Sequence, residues 1–186
     1  MTPLIDVGAV LRGSVADRYS NLVTRHTGRA VRSGIERELE SFADGRVAII
    51  DFSHVSLLDY SCADEIIAQL LIRFAGGDSD ASTPEAYFVF RGVGDHLDPI
   101  EHVLEHHGLA IVMETPGGDT HLIGEVSEAE RLAWHVVKRV GPAAVVDVAH
   151  EAGLPTDACE RALLGLWNRR LVVRDASRFI AVGAVQ

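Results

Sequence analysis

The stretch IIDFSHVSLLDYSCADEIIAQLL, residues 49–71, changes its period in the middle. Upstream, VAIIDF (47–52) is a short β-branched run without helical spacing, the pattern of a buried strand. Downstream, Ala63, Ile66, Ile67, Leu70, Leu71 and Phe74 recur every three or four positions and form one apolar helical stripe. Ser61 sits where one period gives way to the other, two residues after Asp59. There its hydroxyl can accept from the unpaired N–H groups of a first helical turn, and Asp64 three positions on completes a capping-box pattern. A helix start also carries partial positive charge, so the same serine is electrostatically prepared for phosphorylation.

The neighbours of Ser61 set what a phosphate there does. Asp59, Asp64 and Glu65 surround it, and the nearest arginine in sequence is Arg73. Adding roughly −1.5 to −2 charge to an acidic patch is expected to repel a docked protein, which makes the modification an off-switch.

Outward from this elbow the chain alternates strand and helix signals. Segment 4–15, LIDVGAVLRGSV, reads as one or two short strands. Val31, Ile35, Leu39 and Phe42 predict a helix that stops at Asp44-Gly45. Gly76-Gly77 and the polar residues to Pro84 read as a loop, and AYFVF (86–90) as a strand. HLDPIEHVLEHHG reads as a helix with Leu97, Ile100, Val103 and Leu104 inward, and the Pro-Gly-Gly-Asp of AIVMETPGGDTHLIGEV as the turn of a hairpin.

Residues 47–71 resemble the central segment of STAS domains, the anti-sigma-factor-antagonist family, in which a buried strand ends in Asp and Asp-x-Ser opens the next helix. AYFVFRGVG with VLEHHGLAIV is similar to the family's later strand and helix, ending in Leu-x-x-x-Gly-Leu, and AVLRGSV to its early strand and glycine. The resemblance covers about residues 5–113. It implies a mixed sheet backed by helices, a cytoplasmic location, and a kinase-like anti-sigma partner controlled by serine phosphorylation. Matched position by position, Ser61 is the phosphorylatable serine and Asp59 the acidic residue before it. Asp59, Tyr60, Asp64 and Glu65 are then the expected partner contacts. Tyr60 and Cys62-Ala63 depart from the family's small residue and Ser-Gly.

Composition shifts near Ser127, dividing the chain into residues 1–126 and 127–186. Three short helical patterns follow, at Ala129–Val140, Val145–Ala152 and Asp157–Leu171, with Thr156 placed to cap the third. Two β runs, LVVR and RFIAV, then flank Asp175-Ala176-Ser177. This order resembles a winged helix-turn-helix, a small α+β module. The outward face of its third helix carries Asp157, Glu160, Arg161, Leu164 and Asn168, a poor surface for tracking phosphates. Arg161, Asn168, Arg169, Arg174 and Arg178 are the candidate nucleic-acid contacts, with Arg170 beside them, and protein contact is the favoured role. Trp134 points away from its own helix's apolar stripe, which leaves three readings open: packing on the front unit, packing on a second subunit, or a partly exposed tryptophan with no role.

Charge supports that ranking. The chain of 186 residues carries −10, distributed as −11 over residues 1–125 and +1 over the remainder. An acidic front half is a poor nucleic-acid binder, because affinity comes largely from neutralised phosphates. No apolar run approaches the roughly 20 residues of a membrane span. MTPLID lacks the regions of a signal peptide. Cys62 and Cys159 form no CxxC pair, so reduced cytoplasmic thiols are expected.

Three sharper motifs carry less. His102-Val-Leu-Glu105-His106 matches the H-x-x-E-H zinc motif, but both histidines lie opposite the helix's apolar stripe and no third ligand is evident. Gly92-Val-Gly94 follows a strand as a dinucleotide loop does, yet Leu97 stands at the third glycine position, leaving a tight turn. Ser61, His54 and Asp59 lie near one another without a nucleophile elbow or an oxyanion loop. The expectation is therefore a regulatory protein with neither catalytic activity nor a cofactor. Its rivals are a DNA-binding regulator with a STAS-like sensor and a zinc hydrolase using His102, Glu105 and His106. A homodimer is left open.

Overall fold

Val47, Ala48, Ile49 and Ile50 are apolar on both sides of one strand, so β3 (Arg46–Asp51) needs cover above and below. The computed structural model describes residues 2–15, 20–41, 46–74 and 86–184 and supplies both layers. β1 (Leu4–Asp6), β3, β5 (Ala86–Arg91), β6 (Ala110–Glu114) and β7 (Thr120–Gly124) form one mixed sheet in that order, parallel except for the β6–β7 hairpin. That hairpin is the one expected around Pro-Gly-Gly-Asp. Phe42 of the expected helical stripe, the expected stop at Asp44-Gly45 and the loop at 76–84 lie outside the described residues.

Each parallel strand is laid beside its predecessor in the same direction. Right-handed crossovers then put every connecting helix on one face of the sheet. These helices are α1 (Val7–Ser14), α2 (Arg25–Glu40), the helical stretch over residues 60–74, and α5 (Leu97–His107). Ile50, Phe88, Phe90 and Ile111 meet them in one apolar core with Ile35, Ile66, Leu70 and Leu104. Between β3 and β5 the helix runs as α3 (Tyr60–Ala63), widens to a π-helical turn over Asp64–Ala68, and returns as α4 (Gln69–Phe74).

Singly wound sheets leave their second face bare. Here Val47, Tyr87, Val89, Val112 and Leu122 on that face join a second core with the C-terminal helices. α6 (Glu128–Val140) starts at Ser127 with a reciprocal capping box to Glu130. α7 (Val145–Ala152) and α8 (Thr156–Asn168) follow. β8 (Ala143–Ala144), β10 (Arg178–Ala181) and β9 (Val172–Asp175) form an antiparallel sheet in that order. Trp134 is wholly buried in this second core, its Nε1–H donating to the Leu171 carbonyl at 3.2 Å. Lys138 reaches across to Asp119 at the β6–β7 turn, 2.6 Å away.

Three expectations need correction. Only Leu4–Asp6 of segment 4–15 is strand. Asp6 accepts from the Ala9 N–H at 3.1 Å and starts α1, whose Val7, Val10 and Leu11 bury at helical spacing, so packing overrides the β preference of valine. Thr156 is the first residue of α8 rather than its cap; Pro155 holds the cap position and supplies no side-chain bond. On α6 the period is right but the phase is turned: Leu132 and Val140 are exposed, while Ala133, Trp134 and Val137 are buried.

No helix among the described residues is long and apolar enough to cross a membrane.

Candidate functional site

The elbow is built by two short strands. β2 (Asn21–Leu22) pairs in parallel with β4 (Leu57–Leu58), so α2 and α3 leave the same small ladder side by side. Asp59 has extended backbone at φ −90, ψ 169, and its Oδ1 accepts from the Cys62 N–H at 2.8 Å. Asp59 is therefore the helix cap. Ser61 lies two residues inside the helix, where backbone is already helical, and its hydroxyl donates to the same Asp59 oxygen at 2.9 Å. This corrects the expectation that Ser61 caps with Asp64: a capping residue must stand just before the first helical one, and Asp59 occupies that place. Ser61 is half-buried at the surface, and Tyr60 and Leu57 beside it are exposed.

Close approach of α2 decides the rest. A Cβ on Gly28 would stand 3.0 Å from the Cys62 Cα and 3.1 Å from the Glu65 Cβ, so any other residue there would force the two helices slightly apart. Cys62 is buried in the contact and its thiol donates to the Thr24 carbonyl at 3.0 Å. Burial, then the Asp59 charge, pushes that thiol up to about 11, which leaves it a neutral packing group.

Glu65 is turned inward, its side chain 5% exposed, and is held by Arg25 at 3.2 Å, Arg29 at 3.3 Å and Arg32 at 3.4 Å. It cannot serve as a partner contact, which corrects that expectation. The periodicity of α3–α4 puts Glu65 opposite the apolar stripe, but α2 lies there instead of solvent. Asp64 bonds Arg25 at 2.7 Å and His107 at 2.7 Å. Burial pushes its carboxyl up, yet the hydrogen bonds from Arg25 and His107 outweigh burial and hold it below 3.8. The patch around Ser61 is thus not an acidic surface lacking arginine. Arg25, distant in sequence, pairs there with both Asp64 and Glu65.

Tyr60 meets His102 edge to face, with ring centroids 5.0 Å apart. His102, Glu105 and His106 are exposed on α5. Among the described residues no group of three or more His, Cys, Asp or Glu is placed to hold a metal ion.

The C-terminal candidates divide. Arg161 is exposed and pairs with Asp157 at 3.2 Å. Asn168 and Arg178 are exposed. Arg174 stacks over Trp167 and Phe179, 5.4 and 5.9 Å from their ring centroids. Arg169 instead binds Glu130 at 2.7 Å and the Glu125 carbonyl. Arg170 lies over the Tyr87 ring at 5.4 Å and donates to the Phe74 carbonyl. These two fasten the C-terminal helices to the sheet, so assigning Arg169 to a nucleic-acid grip is corrected.

Sequence reasoning missed Arg25, Arg29, Arg32 and His107. A signal for the first three existed: they recur at i, i+4 and i+7 of α2, with Gly28 between them. A cleft of about 570 Å³ at the strand ends was also missed. It lies beside Gly92, whose φ of +69 and backbone contact with Ser53 fit the predicted tight turn. Its Arg91 is clamped by Glu114 at 2.9 Å.

No family model matches the chain, and no curated protein matches it.

Proposed function

We propose that the chain is a non-catalytic regulatory protein. A STAS-like unit, residues 1–126, docks a signalling protein through the elbow at Ser61, and a winged-helix unit, residues 127–186, carries the signal to protein or DNA. Support for the first unit is the sequential β–α winding, with Asp59-x-Ser61 opening the helix that follows the central strand. Support for the second is the order α6, β8, α7, α8, β9, β10. The single observation that carries the reading is the Ser61 hydroxyl, placed at a surface helix start and hydrogen-bonded to Asp59 beside exposed Tyr60.

Phosphorylation of Ser61 breaks its bond to Asp59 and places a dianion within the first turn of the helix. The docking surface changes in charge and in the orientation of Asp59 together. The test is affinity capture from the native cell with wild type, Ser61→Ala and Ser61→Asp. Ser61→Ala is expected to retain the partner and Ser61→Asp to release it. Retention of every partner by Ser61→Asp rejects the switch.

The duplex-binding alternative keeps Arg161, Asn168, Arg174 and Arg178 as exposed contacts. A steep salt dependence of duplex binding that disappears in Arg174→Ala/Arg178→Ala would favour it.

A further inference from the structure

Four arginines converge on the seam between α2 and the α3–α4 helix. Besides the three on Glu65, Arg73 binds Glu36 at 2.7 Å, and Arg32 faces Glu36 across 3.9 Å. The carboxylates lie beneath and the cations above. Side chains of Glu65, Glu36 and Asp64 are 5%, 12% and 19% exposed, against 52%, 56% and 48% for Arg25, Arg29 and Arg73. Solvent therefore meets guanidinium groups here, although the chain as a whole carries −10.

Buried carboxylates are a costly way to join two helices, since well-packed apolar residues do as well or better. What they add is position. Each arginine is pinned from below and has surrendered much of its rotamer freedom before anything binds, which lowers the cost of docking. Arg25 spends only one nitrogen, Nη1, on its two carboxylates, and Arg29 only Nη2. Neither makes another side-chain hydrogen bond among the described residues, so their remaining donors are available. Below them, the Arg32 Nε and the Glu36 Oε1 are buried without hydrogen-bond partners.

We infer that this ridge is a docking surface for an acidic segment of a partner protein. Arg25 and Arg29 stand one helical turn apart, about 5–6 Å. Carboxylates at i and i+4 of a helix, or at alternate positions of a strand at roughly 6–7 Å, match that spacing. A long polyanion fits worse, because Asp98, Glu101 and Glu105 are exposed on α5 and Glu38 and Glu40 on α2. The inference rests on the proposed docking role and gives its regulation a route. Asp64, which holds Arg25, lies one turn from Ser61 on the same helix. A phosphate on Ser61 competes with the partner for Arg25.

The test uses the full chain and a fluorescent deca-glutamate peptide, read by anisotropy at low ionic strength. Arg25→Gln/Arg29→Gln is expected to weaken binding about tenfold, and Arg161→Gln/Arg174→Gln to leave it unchanged. Arg25→Lys/Arg29→Lys keeps the charge but not the pinned fork and is expected to bind between wild type and the Gln pair, which separates lost docking from lost folding. Absence of binding by wild type, equal binding by the Gln pair, or tighter binding of a DNA duplex that depends on Arg174 overturns the proposal. Ser61→Asp tests the switch separately: unchanged affinity there, with loss in the Gln pair, removes the phosphoserine route and supports the surface.

Discussion

Helix α2 meets the α3–α4 helix across buried carboxylates and arginines, whereas the sheet's second face meets the C-terminal helices across Trp134, Tyr87, Val89 and Val112. In the second seam the polar groups stay at the rim: Arg169, Arg170 and Lys138 are all partly exposed. In the first, the charge is in the middle. Desolvating ions opposes folding, so the α2 seam trades stability for fixed guanidinium positions, while the sheet seam contributes stability. The contrast separates the surface available for recognition from the scaffold that holds it.

The strongest way to break this contrast is Trp134→Ala. Removing a fully buried tryptophan is expected to cost about 3–5 kcal/mol, read as a fall in the midpoint of chemical unfolding. A loss below about 1 kcal/mol, the size of an ordinary surface change, would mean that the second seam does not hold the molecule together. Glu65→Gln probes the other seam and is expected to cost less, about 1–3 kcal/mol. Its Arg25 and Arg29 partners are half exposed and can turn to water instead of being stranded. A cost above that of Trp134→Ala would reverse the comparison.

Local patterns made much of this legible. The strand at 47–52, the stripe from Ala63 to Phe74 and the hairpin at 110–124 each announce themselves through a period or a turn. What the period does not announce is which neighbour lies across a polar face. Glu65 looks solvent-facing on its own helix, and only the Gly28 contact reveals that α2 covers it. Trp134 is the same case inverted: it lies off the stripe that spacing selects, yet it is wholly buried in the second core and bonded to the Leu171 carbonyl. Arg169 and Arg170 read as surface cations because long side chains can cross a boundary that sequence does not display. Capping was misplaced by two residues, since both Asp59 and Ser61 are good caps and backbone conformation chooses between them.

A smaller effect sharpens the rim of the sheet seam. Arg170→Ala removes a guanidinium from the Tyr87 face and a donor from the Phe74 carbonyl. The expected cost is about 1 kcal/mol, with faster amide exchange in the C-terminal helices than in β3 or β5. Uniform acceleration through both regions would show the two to be one cooperative unit with no distinguishable seam.

The smallest effect tests whether charge holds Arg25 in place. Asp64 sits below its ordinary 3.8 because Arg25 and His107 together outweigh burial. A carboxyl lowered on folding contributes stability that is present above its unfolded value. That contribution is lost as pH falls through the folded one. Asp64→Asn should therefore be less stable than wild type at neutral pH, by under about 1 kcal/mol because the pair still meets solvent. The difference should shrink below about pH 4 and vanish once the wild-type carboxyl is protonated. Parallel unfolding curves at neutral and acid pH would show that Asp64 acts through shape alone, and Arg25 would then lack the charge anchor that distinguishes this seam from the apolar one.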